Sequence, residues 1–438
     1  MAVKVAKFGG SSLASAEQIL KMKQIIDADE ARKFVVPSAP GKRFPDDIKV
    51  TDLLYALHDA ALRLDDTKEI YQKIVKRYTD IRDELGLSIR IEEYLEKMYE
   101  DIRTGASEDY AASRGEYMNG LLIADLLGYD FIDAADVIFF NENGTYDAKK
   151  TLAILPGALK LHERAVIPGF YGSLPNGKIK TFSRGGSDIT GSIVSRAANA
   201  DLYENWTDVS GFLMADPRIV DGPKKIDVIT YRELRELAYM GATVLHEDSI
   251  FPVLEAAIPI NVKNTNDPKN SGTMIIPAIE GRDGAKEGIT GIAGKKNFTV
   301  ITIEKDGMNA EIGFGRKLLG CLEKFGLSYE HMPSSIDTIS IVIADVRVRG
   351  VIEQLIDEIH AQCQPDSVEV SSNMAIIATV GRGMIRQIGV SAKLFSALAK
   401  NHVNVRMIDQ GSSEINIIVG VENDDFEKAV QAIYTALV

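Results

Sequence analysis

Residues 3–12, VKVAKFGGSS, open the chain with a strand that runs into a glycine turn. The apolar side chains of Val3, Val5 and Phe8 fit a strand that ends at the glycines. Gly9 and Gly10 then form the turn, and Ser11 and Ser12 offer an N-cap to the helical pattern at residues 19–25. The segment therefore predicts a strand, a tight turn and a helix in succession.

Strands continue to alternate with helices along the chain. Short apolar runs at residues 34–36, 166–167 and 261–262 are typical of strands, and residues 51–128 are helical in pattern. Strands that alternate with helices predict an α/β fold, with a mostly parallel sheet and helices on both faces. This block reaches about residue 277, and the polar, glycine-rich stretch 280–288 is the best candidate for a linker.

An internal repeat with an offset of 76 residues follows the linker. Gly307-Met308 recurs as Gly383-Met384, and Lys317-Leu318 recurs as Lys393-Leu394, without a gap. Each copy has the pattern of a small βαββαβ module. The sequence thus predicts one domain over residues 1–280 and two modules over 289–365 and 366–438.

Composition excludes several classes of partner. The 438 residues include 63 acidic and 50 basic side chains, which gives a net charge of −13 and disfavours nucleic acid and anionic membranes. No run approaches the ~18 apolar residues of a membrane span, and the N-terminus lacks the apolar core of a signal peptide. Cys321 and Cys363 form no CxxC pair, which favours two buried thiols and a cytoplasmic location.

Several common catalytic motifs are absent from the sequence. It has no complete GxGxxG fingerprint, no Walker A loop and no serine nucleophile elbow, and its six histidines lack metal-ligand spacing. These absences disfavour nicotinamide-dependent oxidoreductases, serine hydrolases with a nucleophile elbow, and zinc enzymes. No residue is assigned as a metal ligand.

Two turns suit the binding of phosphate. Lys7 precedes the Gly9-Gly10 turn, and the stretch FSRGGSD, residues 182–188, also precedes a helical run. Glycine lets backbone N–H groups approach an anion, and lysine or arginine adds a full positive charge. Two such turns at one crevice would clamp a phosphoryl group in transfer, although Asp188 also fits a plain helix cap.

Two further segments admit two interpretations each. WTDVSG at 206–211 and DPR at 216–218 fit nucleotide contacts or ordinary turns. Gly115, within the helical SRGE stretch at 113–116, is unfavourable by about 1 kcal/mol relative to alanine. It indicates close approach of either a ligand or another helix.

These motifs, taken together, resemble the aspartokinase family. The resemblance runs over essentially the whole chain through KFGGSS, SRGE, FSRGGSD, WTDVSG, ADPR, ELAYMGATVLH and PINVKNTNDP, and the repeat resembles two consecutive ACT modules. Aspartokinases belong with the N-acetylglutamate, carbamate and UMP kinases, but the ACT pair and SRGE favour aspartokinase. The resemblance implies ATP-dependent phosphorylation of the aspartate β-carboxylate, which opens lysine, threonine and methionine synthesis.

The resemblance also implies roles for individual residues. Lys7 and Asp188 are the expected catalytic pair, with Mg²⁺ neutralising the phosphates. The expected aspartate-binding residues are Ser38, Thr51, Glu116, Arg184 and Ser187; the expected ATP-binding residues are Lys7, Gly9, Gly10, Thr207, Asp208, Asp216 and Arg218. The chain departs from the family at Thr243, where a nucleotide-binding lysine is common, and at Glu247, where proline is common.

Regulation is expected in the repeat. By resemblance, the effector pocket comprises Met308, Phe314, Glu330, Ser334 and Ser335, with lysine as the first choice of effector because Glu330 offers a carboxylate, and threonine as the second. ACT modules commonly pair between subunits, which implies a homo-oligomer. Two other functions stay open: a related kinase with a different acceptor, and a catalytically silent amino-acid sensor that keeps the ACT pair.

Overall fold

The chain divides into two compact units. The computed structural model describes residues 2–183, 185–242, 250–277, 288–385 and 387–438. The first unit contains the described parts of 1–212, 225–231 and 243–279, and the second contains those of 213–224, 232–242 and 280–438. Most of the expected linker at 280–288 lies outside the described residues.

An eight-stranded sheet organises the first unit. The strands up to residue 277 are β1 (Lys4–Phe8), β2 (Arg32–Pro37), β3 (Asp130–Phe131), β4 (Ala165–Val166), β5 (Tyr171–Ser173), β6 (Ile179–Thr181), β7 (Leu202–Thr207), β8 (Val228–Thr230), β9 (Ile260–Asn264) and β10 (Thr273–Ile276). The sheet order is β3-β4-β2-β1-β7-β9-β10-β8, and β5 and β6 form a separate hairpin. Among the described residues, β9 and β10 are the one antiparallel pair of the large sheet, and its other neighbours pair parallel.

Helices cover both faces of this sheet. They are α1 (Ala16–Asp27), α2 (Val50–Leu62), α3 (Lys68–Leu85), α4 (Ile91–Arg103), α5 (Glu108–Leu127), α6 (Ala134–Val137), α7 (Ala148–Lys160), α8 (Gly186–Ala197), α9 (Tyr231–Tyr239) and α10 (Phe251–Glu255). Side chains alternate across a strand. Accordingly, Ala6 and Phe8 of β1 join a core with α1–α5, whereas Val5 joins a second core with α7 and α8. The predicted mostly parallel α/β sheet is confirmed.

The first turn differs from its prediction in one respect. Gly10–Leu13 form a 3-10 turn, and α1 begins only at Ala16, where the Ser15 side chain accepts a hydrogen bond from the Gln18 N–H at 3.4 Å. The predicted N-cap at Ser11 and Ser12 is wrong. The chain makes one tighter turn first because Gly9 is extended and its carbonyl accepts from the Ser12 N–H.

A five-stranded antiparallel sheet organises the second unit. Its elements are β11 (Gly291–Glu304), α11 (Phe314–Lys324), β12 (Thr338–Ala344), α12 (Asp345–Val348), α13 (Ile352–Cys363), β13 (Ser367–Val380), α14 (Val390–Lys400), β14 (Met407–Asp409), β15 (Asn416–Glu422) and α15 (Phe426–Leu437). The strand order is β12-β11-β13-β15-β14.

The two copies of the repeat share their long strands. The first half of β11 pairs with the second half of β13, which also pairs with β15. The second half of β11 pairs with β12 and with the first half of β13. Each ACT-like half of the sheet therefore contains a strand from the other copy. The contiguous boundary between 365 and 366 stays a prediction.

Each half of this sheet has its own hydrophobic core. One core contains Leu318 of α11 and Ile359 of α13, together with the buried free thiols of Cys321 and Cys363. The other contains Leu394 of α14, and Ala215 and Val220 pack into it from the segment 213–224. No helix of the described residues is long and apolar enough to cross a membrane.

Candidate active site

Lys7 and Asp188 form an ion pair at the carboxyl end of the central strands. The ammonium nitrogen of Lys7 lies 2.5 Å from Asp188 Oδ1, and both side chains are largely buried. Lys7 sits on β1 opposite Asn205 on β7. Asn205 Nδ2 donates to the same Asp188 oxygen at 2.8 Å. Asp188 lies in the first turn of its helix, and its carboxylate contacts both the Lys7 ammonium and the Asn205 amide.

A cavity of about 610 Å³ lies beside this pair. Three chain segments that follow parallel strands meet there, as expected at the carboxyl edge of an open α/β sheet. The predicted site residues that line it are Gly9, Gly10, Ser38, Thr51, Glu116, Thr207 and Asp208. The Gly9 N–H donates to the Trp206 carbonyl at 2.9 Å, which joins the first turn to the loop after β7. The structure thus brings residues expected to bind ATP and residues expected to bind aspartate into one cavity.

Glu116 is the buried acid of this cavity. Burial raises the pKa of its carboxyl to about 8, against the opposing effects of the Ala39 backbone N–H and the Lys7 charge. Its Oε2 is buried and has no hydrogen-bond partner among the residues that the structure describes. A buried carboxylate oxygen without a partner is a costly arrangement that an ammonium group would relieve.

Gly115 lets the loop after β2 reach the helix that carries Glu116. A Cβ on Gly115 would lie 2.8 Å from the Ala39 Cβ, closer than real Cβ atoms approach each other. Tyr78 of α3 donates its hydroxyl to the Gly115 carbonyl at 2.8 Å and fixes α5 from the other side. Of the two interpretations of this glycine, the structure supports close packing of the chain on itself.

Other predicted residues lie elsewhere. Ser187 is buried in α8 and does not line the cavity. Asp216 and Arg218 belong to the second unit, where their side chains pair with each other at 2.6 Å. Arg184, Thr243 and Glu247 lie outside the described residues. The roles expected for these residues stay predictions.

The expected effector residues lie around the first copy of the repeat. The side chains of Met308 and Phe314 are buried in its core, so only their backbone groups are available to a ligand. Glu330, Ser334 and Ser335 lie on the segment that bridges to β12, with the Glu330 N–H donating to the Val342 carbonyl at 2.8 Å. Ser334 and Ser335 are exposed. The effector pocket stays a prediction.

Sequence reasoning missed residues that support the site. Asn205 holds Asp188, and its signal was an amide inside the otherwise strand-like stretch 202–207. Arg77 and Asp47, which are buried and paired at 2.6 Å, hold the loop after β2. Their spacing of thirty residues gives no local signal, because the pair forms only when α3 packs beside that loop.

The carboxylates of the site bear on metal binding. Within the described ranges, no group of three or more His, Cys, Asp or Glu side chains could hold a metal ion. Mg²⁺ needs no such cage, since it commonly keeps its waters and is held by one or two carboxylates plus substrate phosphates. Asp208, which lines the cavity, fits as one such carboxylate.

Comparisons with known proteins identify the family. The amino acid kinase family model matches residues 2–264, and an ACT domain model matches 377–437. Aspartokinase 3 of Bacillus subtilis is 39% identical over 99% of this chain and 98% of its own length. The chain belongs to the aspartokinases of the amino acid kinase family. The solved aspartate kinase of Clostridium acetobutylicum, described as an allosteric enzyme, shares 55% identity with a TM-score of 0.91 over 100% of both chains.

A more distant aspartokinase has the same organisation. Escherichia coli aspartokinase III, solved with aspartate and ADP in its R-state, is 27% identical with a TM-score of 0.78 over 99% of both chains. As an aspartokinase, the chain is a kinase that phosphorylates aspartate and is regulated allosterically. The expected fold and activity are both confirmed. A kinase with another acceptor and a silent sensor are therefore set aside.

Proposed function

We propose that the cavity beside Lys7 transfers the γ-phosphoryl group of ATP to the β-carboxylate of L-aspartate. One observation carries this assignment: the Gly9-Gly10 turn, the Thr207-Asp208 loop and the buried Glu116 line a single cavity. The Lys7–Asp188 pair stands at its edge, because Lys7 Nζ lies within 3.6 Å of where a Gly9 Cβ would be.

The chemistry requires electrostatic stabilisation more than acid–base catalysis. The aspartate side chain has a reference pKa of about 3.9, so the nucleophilic oxygen is already charged at neutral pH. That oxygen bonds to the γ-phosphorus while the bond from phosphorus to the bridging oxygen breaks, which gives an acyl phosphate and ADP. Lys7 stabilises the negative charge that develops on the transferring group, and Asp188 with Asn205 orients Lys7.

Glu116 binds the ammonium group of aspartate. Its unpartnered Oε2 is the group in the cavity that most needs a cationic ligand. Ser38 and Thr51 line the same cavity and supply hydroxyls, and the Asn119 amide fixes the Ser38 backbone by donating to its carbonyl at 2.7 Å. Arg184 and Ser187 remain proposed contacts for the aspartate carboxylates.

The nucleotide occupies the other end, beside Gly9, Gly10, Thr207 and Asp208. Mg²⁺, when bound with the nucleotide, neutralises phosphate charge, and Asp208 is its proposed protein carboxylate. Asp216 and Arg218 remain proposed nucleotide contacts. E. coli aspartokinase III, which was solved with aspartate and ADP, supports a site that holds aspartate and a nucleotide together.

Two groups of variants test the assignment by separating the substrates. We expect Glu116→Gln to raise the KM for aspartate with little change in the KM for ATP. We expect Thr207→Val with Asp208→Asn to do the reverse. An assay that traps the acyl phosphate with hydroxylamine measures both constants, and glutamate in place of aspartate serves as the acceptor control. The assignment fails if neither group of variants changes a substrate KM.

For regulation, we propose that lysine binds the first ACT module and that the active protein is a homo-oligomer joined through these modules. E. coli aspartokinase III was also solved with lysine and aspartate in its T-state, which supports lysine over threonine.

Glu330 is the proposed partner of the lysine ammonium group. We expect Glu330→Gln to weaken inhibition by lysine while leaving uninhibited turnover unchanged; undiminished inhibition would remove Glu330 from the pocket. Lysine, threonine and methionine synthesis are the proposed pathways served.

A further inference from the structure

The loop between β2 and α2 brings positive charge to the active-site cavity. Eight of its residues from Ala39 to Lys49 line the cavity, and three of them are basic: Lys42, Arg43 and Lys49. None of the three belongs to the motifs that resemble the aspartokinase family. Since the cavity must take a polyanionic nucleotide, each of these cations is a candidate ligand.

This loop is seated directly on the phosphate-suited turn. The Gly41 N–H donates to the Gly10 carbonyl at 2.8 Å, and the Ser38 N–H donates to the Phe8 carbonyl at 3.1 Å. A Cβ on Gly41 would lie 2.6 Å from the Gly10 carbonyl carbon, so only glycine permits this approach. Lys42 therefore follows a residue that is in backbone contact with the turn.

A buried arginine holds both ends of the loop. Arg77 Nη1 donates to the Gly41 carbonyl at 2.9 Å, and Nη2 donates to Asp47 Oδ2 at 2.6 Å. Asp47 is itself buried and also accepts from Arg43 Nε at 2.8 Å. These hydrogen bonds to Arg43, with the Arg77 charge, hold the pKa of Asp47 well below its usual range. Because a buried ion pair adds little stability after desolvation, its main consequence here is a fixed loop.

The cations of the cavity differ in their partners. Lys7 is paired with Asp188, and Arg43 is paired with Asp47. Lys42 Nζ makes one hydrogen bond, to the Pro45 carbonyl at 3.2 Å, and has no carboxylate within 4.0 Å among the described residues. Lys49 lies at the other end of the loop, two residues before Thr51 of the proposed aspartate end. Lys42 is thus the uncompensated cation next to the phosphate turn.

We propose that Lys42 is a second phosphate-binding residue of the kinase, acting beside Lys7, and that the Arg77–Asp47 pair positions it. This inference rests on the proposed location of the nucleotide at the Gly9-Gly10 turn. Lysine binds phosphate as a compact point charge with three donors on a flexible stem, which suits an exposed side chain on a fixed loop beside a flexible triphosphate. An ammonium group without a carboxylate partner also gives up no existing ion pair when the nucleotide arrives.

The test compares nucleotide affinity in the full chain. We expect Lys42→Met to weaken ATP binding about tenfold, as for the loss of one hydrogen bond to a charged group, and to leave adenosine binding and the aspartate KM unchanged. Lys42→Arg should keep most of the affinity. Lys73→Met, which removes an exposed lysine of α3, is the charge-matched control and should have no effect.

A double-mutant cycle on ATP affinity tests whether Arg77 positions Lys42. Arg77→Lys keeps a positive charge but loses the fork that spans Gly41 and Asp47. If Arg77 acts through Lys42, the Arg77→Lys/Lys42→Met double variant binds ATP no more weakly than Lys42→Met alone, whereas independent effects would add. Additive losses would overturn the positioning role. If Arg77→Lys does not fold, Asp47→Asn replaces it in the double-mutant cycle with Lys42→Met. The same comparison of ATP affinities then tests the positioning role.

Several outcomes would overturn the inference for Lys42. One is unchanged ATP affinity in Lys42→Met while Lys7→Ala loses turnover, which leaves the proposed site intact. A second is a raised aspartate KM with unchanged ATP affinity. A third is an equal loss in Lys49→Met, which would indicate a diffuse charge effect. If both Lys42→Met and Lys7→Ala were harmless, the proposed function of the cavity would fail as well.

Discussion

The ammonium nitrogen of Lys7 lies 2.5 Å from Oδ1 of Asp188, and this ion pair joins the first strand of the sheet to the helix after the second glycine turn. The two residues are far apart in sequence, and each belongs to a turn that suits phosphate. Their contact places both turns at one edge of the sheet, where the cavity opens.

Removing the negative charge of Asp188 should impair catalysis more than substrate binding. Asp188→Asn keeps the size of the side chain but no longer holds the Lys7 ammonium by charge. We expect kcat to fall about tenfold to a hundredfold, the range for a lost charge-assisted hydrogen bond. Steady-state kinetics measure this, and Asn205→Ser, which removes only the supporting amide, should show a smaller fall. Equal kcat values for Asp188→Asn and the unaltered chain would contradict this role.

The affinity for aspartate should depend on pH through Glu116. Burial raises the pKa of this carboxyl to about 8, so below that pH the free protein holds it mainly protonated. Binding an ammonium group requires the charged form, so the proton must leave, and the aspartate KM should fall as the pH rises from about 6 to about 8. Kinetics across this range test the slope. Glu116→Gln should abolish it, and a pH-independent KM in the unaltered chain would argue against ammonium binding at Glu116.

A methyl group on Gly115 should disturb the site from within α5. The added Cβ would lie 2.8 Å from the Ala39 Cβ, and Ala39 also donates to Glu116. We expect Gly115→Ala to destabilise the fold by about 1–3 kcal/mol through overpacking and to raise the aspartate KM. Gly157→Ala in α7 is the matched control, because nothing lies within 4 Å of its added Cβ. There, alanine should stabilise the helix by up to about 1 kcal/mol, as thermal unfolding would show.

The shared strands predict that the first ACT module cannot fold without the second. Ending the chain after residue 365 removes β13, the partner of both halves of β11. The first half of β11 then has no partner strand, and its second half keeps only β12 as a neighbour. We expect amides of β11 and β12 to lose their protection from hydrogen exchange, since a two-stranded remnant leaves one edge of β11 without partners. Retained protection over 298–304 and 338–344 in the shortened chain would contradict this dependence.

Local sequence patterns were enough to predict the fold, but they did not predict all of the site. Val5, Phe8 and the run at 34–36 alternate with helical segments, which was enough to predict a parallel α/β sheet. The 76-residue repeat likewise predicted two similar modules. It did not reveal that β11 and β13 exchange halves, because a strand that continues into a second pairing has the same period of two throughout.

Supporting residues of the site were hidden for a related reason. Asn205, Asp47 and Arg77 act through contacts between segments that are distant in sequence, and each looks locally like an ordinary strand, loop or helix residue. Lys42 was equally inconspicuous in the sequence, because it lies beside the phosphate-suited turn only when Gly41 packs against Gly10. The resemblance to aspartokinases supplied roles only for motifs that the family shares.

The most direct test of the account is the rate of phosphoryl transfer in Lys7→Ala, measured in a single turnover with both substrates saturating. We expect that rate to fall about a hundredfold or more, as for the loss of a group that stabilises charge in the transition state, with the unfolding temperature nearly unchanged. A rate within about twofold of the unaltered chain, far short of the effect of losing such a group, would contradict the assignment of this cavity as the site of transfer.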